Sequence, residues 1–429
     1  MKFSFQTFLF AILSLISSWG FTASNPFSYS LNHSFPNPFT IGYTDSVTYT
    51  VTNNLPFTMA NAIAIDKIAT LSNEFTYDDQ CNGQRLNSGG ICTVTISLTP
   101  ESSAMKFVQL IIHGYDNNRI PIPALLTSAQ GVSSSSHFTV IPLGTSGGQF
   151  DSNLSSYLIS ATQSGHWIAL DAGTTCSETY KIGFSTNIQA YLLSHAHLDH
   201  ISGLVICSPI DSSKNLYGLD TTINYLRDNI FNWQIWPNFA DDGALPLLNQ
   251  YHYVRMATGN PIEIPNTGIT ATPYPLSHGI LYNGSHYPST AFLLESGGYY
   301  FLYCGDTGAD TLENSNDLQN LWISIAPLIQ QNKLTAIFIE VSYTNTQPDN
   351  LLFGHLSPKW LLKELHALAS LVNPDNPSLA LKGLRVVITH IKYTPTNPNV
   401  SSDIFNYLTK NNDLGINFII PTQGNEMEF

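Results

Sequence analysis

Apolar and polar residues alternate with period two through much of the N-terminal part of the chain. The alternation runs through residues 46–53 (SVTYTVTN) and 92–100 (CTVTISLTP), and residues 106–115 (KFVQLIIHGY) form a further candidate strand. Segments of this kind are typical of half-buried strands, and turn residues separate them. The pattern predicts an all-β sandwich over residues 25–131.

The pattern changes after residue 138, where short apolar runs are separated by glycine and serine turns. The later runs that indicate strands include LTAIFIEVS (334–342) and LRVVITH (384–390). The segments with a helical pattern include LDTTINYLRDNIF (219–231) and SPKWLLKELHALASLV (357–372). We therefore expect an α/β layered domain over residues 138–429, joined to the first domain by a serine-rich linker at residues 132–137.

The first 24 residues combine one lysine, an apolar run and a stretch of small residues before Asn25. This pattern is typical of a secretory signal peptide; a buried N-terminal helix or an uncleaved anchor is the alternative. No later stretch approaches the ~20 apolar residues of a membrane span. We expect an exported protein, periplasmic or secreted.

Charge and composition narrow the classes of partner. Only 11% of the residues are charged and the formal net charge is −14, so no basic run is available to bind nucleic acid or an anionic membrane surface. An anionic substrate would need its own local positive charge, which a bound metal could supply.

In an exported protein the five cysteines would lie in an oxidising compartment. Cys81 and Cys92 flank a turn-rich segment, NGQRLNSGGI, and we expect a disulfide between them. Cys176, Cys207 and Cys304 lie in or near apolar segments and are expected to be buried thiols.

Three histidines and an aspartate fall within six residues of the segment LLSHAHLDHISGLVICSP. His195 and His197 project to the same side of an extended backbone, and Asp199 and His200 follow where the chain turns. Two imidazoles beside a carboxylate–imidazole pair suit two divalent metal ions, with zinc as the leading candidate. Histidines clustered on a polar loop are the alternative.

Further ligands follow in order along the chain. His278, Asp306 and His390 each stand at the end of an apolar strand. A single residue of this kind is more often merely hydrogen-bonded, but together the three complete the set that two metals need.

The motif H-x-H-x-D-H followed by later His, Asp and His is similar to that of the metallo-β-lactamase fold, an αββα sandwich with a dinuclear metal site. Within it, HAHLDHISGLVICSP resembles the signature of the class II cyclic-nucleotide phosphodiesterases. Residues 143–159 and 217–239, GHLSP (354–358) and ITHIK (388–392) resemble further blocks of that family. The N-terminal strands and the Cys81–Cys92 pair resemble an immunoglobulin-like β-sandwich.

The resemblance implies a ligand set and a reaction. The implied ligands are His195, His197 and His278 for one metal and Asp199, His200 and His390 for the other, with Asp306 bridging. A bridging hydroxide would open 3′,5′-cyclic AMP, or cyclic GMP, to the 5′ monophosphate. Asp199 would orient the hydroxide, and His355 would donate a hydrogen bond or a proton to the leaving oxygen. The alternative for His355 is a structural role at the start of a helix.

Two segments have two interpretations each. GTSGG (144–148) forms either a hairpin turn or a phosphate cradle, and Trp233 and Trp236 either stack on a purine or pack in the core. The remaining histidines are expected to be structural.

Four other functions stay open. The same site could act on another phosphodiester, on RNA or on a β-lactam, although the acidic chain has no basic arm to grip RNA. The protein could instead bind a surface partner through its N-terminal domain, as an adhesion protein. The oligomeric state stays open.

Overall fold

The structure, a computed structural model, describes residues 27–32, 39–40, 44–58, 63–70, 74–100, 105–113, 119–121, 125–130, 136–148, 150–162, 164–176, 188–393 and 397–429. The predicted signal peptide and most of the predicted linker lie outside these residues. The described chain falls into two units: an N-terminal one up to Leu125, and a second from Leu126 to Phe429. Residues 39–40 and 105–107 are grouped with the second unit.

The strands before residue 131 are β1 (Phe27–Leu31), β2 (Phe39–Thr40), β3 (Asp45–Asn53), β4 (Ala64–Thr70), β5 (Phe75–Asp79), β6 (Ile91–Leu98), β7 (Met105–His113), β8 (Arg119–Pro121) and β9 (Leu125–Gln130). The N-terminal unit contains an antiparallel sheet of order β1-β3-β6-β5, and β7 pairs with β4 and β8. Val47, Tyr49 and Val51 are buried on one face of β3 and alternate with half-buried threonines. A disulfide joins Cys81 to Cys92.

The second unit is built on two sheets of seven strands. The strands of the first sheet, in sheet order, are β15 (Tyr251–Met256), β14 (Lys214–Leu219), β13 (Ile188–Leu192), β12 (Trp167–Leu170), β11 (Ser156–Ala161), β10 (Phe138–Gly144) and β23 (Met427–Glu428). Those of the second sheet are β16 (Ile262–Ile264), β17 (Ile269–Ile280), β18 (His286–Ser296), β19 (Tyr299–Cys304), β20 (Leu334–Glu340), β21 (Arg385–Thr389) and β22 (Asn417–Ile419).

The two sheets bury residues on both faces. On β19, Phe301 and Tyr303 belong to the apolar core shared by the two sheets, whereas Leu302 and Cys304 belong to a second core that includes the helices. Such a continuously apolar strand is expected where a sheet is covered on both sides.

Helices supply the covering layers. They are α1 (Leu198–Cys207), α2 (Asp220–Tyr225), α3 (Asp310–Glu313), α4 (Asp317–Gln330), α5 (Pro358–Val372), α6 (Pro377–Ala380) and α7 (Val400–Lys410), with a π-helical turn at Leu226–Ile230 and a 3₁₀ turn at Asp349–Leu351. The helical pattern at residues 219–231 therefore continues past α2 as a π turn and ends at Phe231. Among the described residues, no helix is long and apolar enough to cross a bilayer.

A glycine fixes α1 against the first sheet. The Gly203 amide donates to the Gly173 carbonyl oxygen at 2.9 Å, and a Cβ on Gly203 would lie 2.5 Å from the Ala172 carbonyl oxygen. Only glycine permits this approach, which places the first turn of α1 beside the end of β12.

The expectation of free thiols at Cys176 and Cys207 is wrong, because the structure joins them in a disulfide. The close approach of α1 to the chain after β12 brings the two Cα atoms to 5.5 Å. A separation of 31 residues gives no local signal for this pairing. Cys304 is free and buried, as expected.

Candidate active site

Polar side chains gather at one edge of the two sheets because parallel strands end there. Asp171 follows β12, His195 follows β13, Asp306 follows β19 and His390 follows β21, while Glu340 is the last residue of β20. The β12–β13 pair and the β19–β20–β21 strands are parallel. Ligands in layered α/β proteins commonly bind at the carboxyl ends of the strands.

The first predicted ligand group is brought together. The Nδ1 atom of His197 lies 3.1 Å from Nε2 of His195 and 3.2 Å from Nε2 of His278. A tetrahedral zinc ion with about 2.0–2.1 Å to each nitrogen separates its ligands by about 3.3–3.4 Å. The three nitrogens therefore converge at the spacing that one metal ion requires.

The second predicted group also converges. Ligand atoms of Asp199, His200 and His390 lie within 4.8 Å of one another, and His390 Nε2 is 3.1 Å from the Asp199 carboxylate. Among the residues that the structure describes, none forms a hydrogen bond with the buried Nε2 atom of His200, while its Nδ1 lies 2.8 Å from the Asp171 carboxylate. A buried imidazole nitrogen without a hydrogen bond, on a ring held by a carboxylate at the other nitrogen, is suited to bind a metal ion.

Asp306, the residue predicted to bridge, lies between the two groups. Its Oδ2 is 3.8 Å from His195 Nε2 and 3.7 Å from His278 Nε2. The same carboxylate is 3.3 Å from His200 Nε2 and 3.2 Å from His390 Nε2. One carboxylate thus reaches donor atoms of both groups.

Burial favours the neutral form of His197 and His278, whereas at His200 burial is outweighed by the carboxylates of Asp306 and Asp171, which raise its pKa. Burial lowers the pKa of His197 to about 4 and that of His278 to about 4, and the charges of His278 and His355 respectively add to the effect. Burial opposes the ionised form of Asp306, but His390 and His200 outweigh it and hold the pKa of this carboxyl well below its usual range. Neutral imidazoles and an ionised carboxylate are the forms that bind divalent metal.

Asp171 lies behind the proposed ligands and holds them in place. This role was not predicted from the sequence. Asp171 is buried, with a left-handed backbone (φ 54°), and it accepts hydrogen bonds from Ser194 N and Oγ, both at 2.7 Å. It also holds His200 Nδ1 at 2.8 Å and the Tyr303 hydroxyl at 2.7 Å. Since Ser194 Oγ lies 2.9 Å from His195 Nδ1, Asp171 orients ligands of both groups.

His355 lies beside the ligands in a second network that was not predicted. Its Nδ1 is 2.7 Å from Glu340 Oε1 and its Nε2 is 2.9 Å from Lys392 Nζ. Burial and the nearby Asp306 charge raise the pKa of Glu340 to about 7. Ser342 links this network to the ligand set, because its Oγ donates to Glu340 at 2.8 Å and lies 3.0 Å from His390 Nδ1.

The glycine-rich segment at residues 144–148 lies in the connection of the antiparallel β10–β11 pair. A Cβ on Gly147 would lie 2.4 Å from the His390 ring. Gly148 has a left-handed backbone, and its Cβ position is 3.5 Å from the Asp199 carboxylate. The segment is a largely extended part of this connection, with Ser146 bridged to Leu154 and Ile391, and its backbone packs on the second ligand group.

Comparison with known proteins identifies the family. The family model of class-II cAMP phosphodiesterases matches residues 154–424. The chain is 40% identical over 319 residues to a 3′,5′-cyclic-nucleotide phosphodiesterase of Aliivibrio fischeri, an alignment that covers 69% of this chain and 94% of the relative. The chain belongs to the class II cyclic-nucleotide phosphodiesterase family. The predicted family and enzyme class are confirmed.

More distant relatives of this phosphodiesterase agree with that assignment. A 3′,5′-cyclic-nucleotide phosphodiesterase of Schizosaccharomyces pombe is 29% identical over 333 residues, which cover 68% of this chain and 93% of the relative. Among solved structures, unliganded yeast PDE1 is similar with a TM-score of 0.61 and 23% identity, covering 68% of this chain and 99% of that one. The protein has two sheets with helices on their outer faces, and it is similar to yeast PDE1. Together these observations confirm the predicted αββα fold.

A cavity of about 660 Å³ opens beside the first ligand group of this phosphodiesterase. His197 and His278 form part of its wall, and the remaining wall is mostly apolar. The tryptophans considered for base stacking lie elsewhere: the Trp233 indole donates to the Pro246 carbonyl oxygen and that of Trp236 to Ser208 Oγ, both at 2.9 Å. The residues that line the cavity come from other segments of the chain.

The donor set of this phosphodiesterase fits divalent metal. Histidine nitrogens and carboxylate oxygens at these spacings are the ligands that zinc and similar ions prefer. Together with Glu340 and His355, the structure brings together all seven predicted ligands, which are His195, His197, Asp199, His200, His278, Asp306 and His390.

Proposed function

We propose that the protein hydrolyses 3′,5′-cyclic AMP, and cyclic GMP as a second candidate substrate, to the 5′ monophosphate in a dinuclear metal site. The convergence of two three-residue ligand groups on Asp306 carries the proposal. His195, His197 and His278 would hold one ion, Asp199, His200 and His390 the other, and Asp306 would bridge. When bound, two divalent ions, with zinc the first candidate, would supply a bridging hydroxide near neutral pH and offset the phosphoryl charge.

The chain's own residues would assist on either side of the phosphorus. Asp199 is half-buried next to His390 and would accept the proton of the attacking oxygen and orient it. The bond between His355 Nδ1 and Glu340 fixes the ring so that Nε2 faces Lys392. We place these two side chains on the leaving-group side, where a donor and a positive charge would stabilise the departing 3′ oxygen.

Hydrolysis of 3′,5′-cyclic AMP by the purified protein tests the proposal. The assay is run as purified, after chelation and after zinc is added back, with separation of 5′-AMP from 3′-AMP. We expect 5′-AMP, loss of activity on chelation and recovery with zinc. A folded, zinc-loaded protein that does not turn over cyclic AMP would refute the substrate.

The His197→Ala variant tests the ligand set separately. It removes one nitrogen of the first group and is expected to abolish turnover with little loss of folded protein. Because His197 is half-buried and lines the cavity, the fold tolerates the change. Activity close to that of the wild type would contradict the dinuclear mechanism.

We also propose that the protein is exported and that its N-terminal unit is an immunoglobulin-like sandwich that spaces or docks the enzyme. Two disulfides favour an oxidising compartment, and the antiparallel strands with alternating burial favour the sandwich. N-terminal sequencing of the mature protein from the periplasm or medium tests export, with cleavage expected between residues 20 and 25. An intact N-terminus in the cytoplasm would refute it.

A further inference from the structure

The wall of the cavity beside the first ligand group contains an aromatic ring that stacks on no other ring in the described part of the chain. Phe353 lines the cavity, is 66% exposed, and makes no ring contact with any residue that the structure describes. Tyr287 also lines the cavity, but its ring stacks on His197 at 4.3 Å and on Tyr225 at 5.6 Å. Of these two rings, Phe353 is the one with open faces.

The backbone fixes Phe353 at the site. The residue has a left-handed conformation (φ 52°), which is unfavourable for a side chain of this size. The next residue, Gly354, accepts a hydrogen bond from His278 Nδ1 at 2.9 Å, and a Cβ on it would lie 2.2 Å from Gly279 N. A strained turn tied to a predicted metal ligand therefore holds an apolar ring towards solvent.

A carboxylate in the same wall has one oxygen that accepts no hydrogen bond from the described residues. Glu313 lines the cavity and is only 5% exposed. Its Oε2 accepts from Gly279 N at 2.9 Å, and no described residue donates a hydrogen bond to its Oε1. The Oε1 atom lies so close to Gly308 that a Cβ there would be 2.2 Å away. An acceptor in the cavity wall that receives no hydrogen bond from the described residues can accept one from a ligand.

We propose that this cavity binds the adenine base of the substrate, stacked on Phe353, with the 6-amino group donating a hydrogen bond to Glu313. The inference rests on the proposed function, because the phosphate must lie at the neighbouring ligand groups. A cavity of about 660 Å³ is of the size that holds a nucleoside. Guanine carries a carbonyl oxygen at the same ring position, and this oxygen would repel the carboxylate, so cyclic AMP is preferred.

Substrate analogues test the proposal on the unmodified enzyme. The zinc-loaded protein is assayed with cyclic AMP, cyclic GMP and the 3′,5′-cyclic monophosphate of purine riboside, which lacks the 6-amino group. A hydrogen bond to a charged acceptor predicts a kcat/KM for the purine analogue about 10- to 150-fold below that for cyclic AMP. Equal use of cyclic AMP and this analogue, or better use of cyclic GMP, would overturn the assignment of Glu313.

Variants locate the effect. Glu313→Gln keeps the bond to Gly279 but presents an amide donor, and we expect it to raise the ratio of cyclic GMP to cyclic AMP turnover. Phe353→Ala is expected to raise KM for cyclic AMP by about 5- to 150-fold, the range for loss of one base–aromatic stack. Phe353→Leu, which keeps an apolar side chain, is expected to raise KM by less. Tyr282→Ala, which removes an exposed aromatic outside the cavity wall, is the control and should change KM by less than about twofold.

The outcomes distinguish failure of the base site from failure of the proposed function. Cyclic AMP hydrolysis with an unchanged KM in Phe353→Ala would overturn the base site and leave the proposed function standing. No hydrolysis of any cyclic nucleotide by the metal-loaded wild type would overturn both.

Discussion

Replacing Asp171 with Asn tests whether the layer behind the ligands sets metal affinity. Asp171 is fully buried and does not line the cavity beside the first ligand group, so the change leaves every proposed ligand and that cavity wall in place. It alters only the acceptor that orients His200 directly and His195 through Ser194.

The magnitude follows from the hydrogen bonds. Asp171 Oδ1 accepts from Ser194 N, and Oδ2 accepts from Ser194 Oγ and the Tyr303 hydroxyl and holds His200 Nδ1. Asn presents a donor on one side, so whichever way the amide turns, at least one buried donor faces another. An unsatisfied buried donor costs about 1–3 kcal/mol, and changes behind metal ligands typically cost about 10- to 100-fold in affinity or activity. We expect zinc affinity to fall in that range.

Zinc competition with a chelator measures the affinity, and kcat/KM is measured at saturating zinc. Asp211→Asn is the matched control: Asp211 accepts from the hydroxyls of Tyr191 and Tyr251, both at 2.9 Å, and bonds Lys214. It should lower the free energy of unfolding without changing zinc affinity. If Asp171→Asn binds zinc as tightly as Asp211→Asn, the orienting role of Asp171 is refuted.

The remaining predictions concern the two disulfides and His355. Replacing Cys176 and Cys207 with Ala should cost about 4 kcal/mol of unfolding free energy, since the disulfide closes a 31-residue separation. The same change at Cys81 and Cys92, 11 residues apart, should cost about 3 kcal/mol; equal transitions with and without reductant in denaturant titration would contradict both. His355→Asn should lower kcat by about 10²- to 10⁴-fold with zinc content unchanged, and loss of zinc instead would show His355 to be a ligand.

The proposed ligands could be predicted from the sequence because their signal is local. His195, His197 and the two residues after them form one short motif. Asp306 and His390 each follow an apolar strand with a parallel neighbour, whereas His278 lies within β17, whose neighbours are antiparallel. Parallel strands bring their ends to one edge, so order along the chain is enough to predict the proximity of Asp306 and His390.

The carboxylates behind the proposed ligands could not be predicted in the same way, although part of their signal was present. Asp171 follows the apolar strand WIAL, and Glu340 ends LTAIFIE, the pattern that identified Asp306. A charge at the end of a buried strand implies a partner, but the sequence does not say whether that partner is an ion or another side chain. The Cys176–Cys207 pair had no signal at all, because only the packing of α1 brings the two together.

The histidines that the structure brings together are not all held in the same way, and this difference decides which part of the site is adaptable. His195, His278 and His390 each bond a protein oxygen through Nδ1, which fixes the ring and its tautomer. The Nδ1 of His197 faces the other ligand nitrogens instead, and its ring is positioned by stacking on Tyr287, 18° from parallel. Because no described protein oxygen fixes its Nδ1, we expect His197 to be the proposed ligand with the greatest freedom to adjust beside the cavity that it lines.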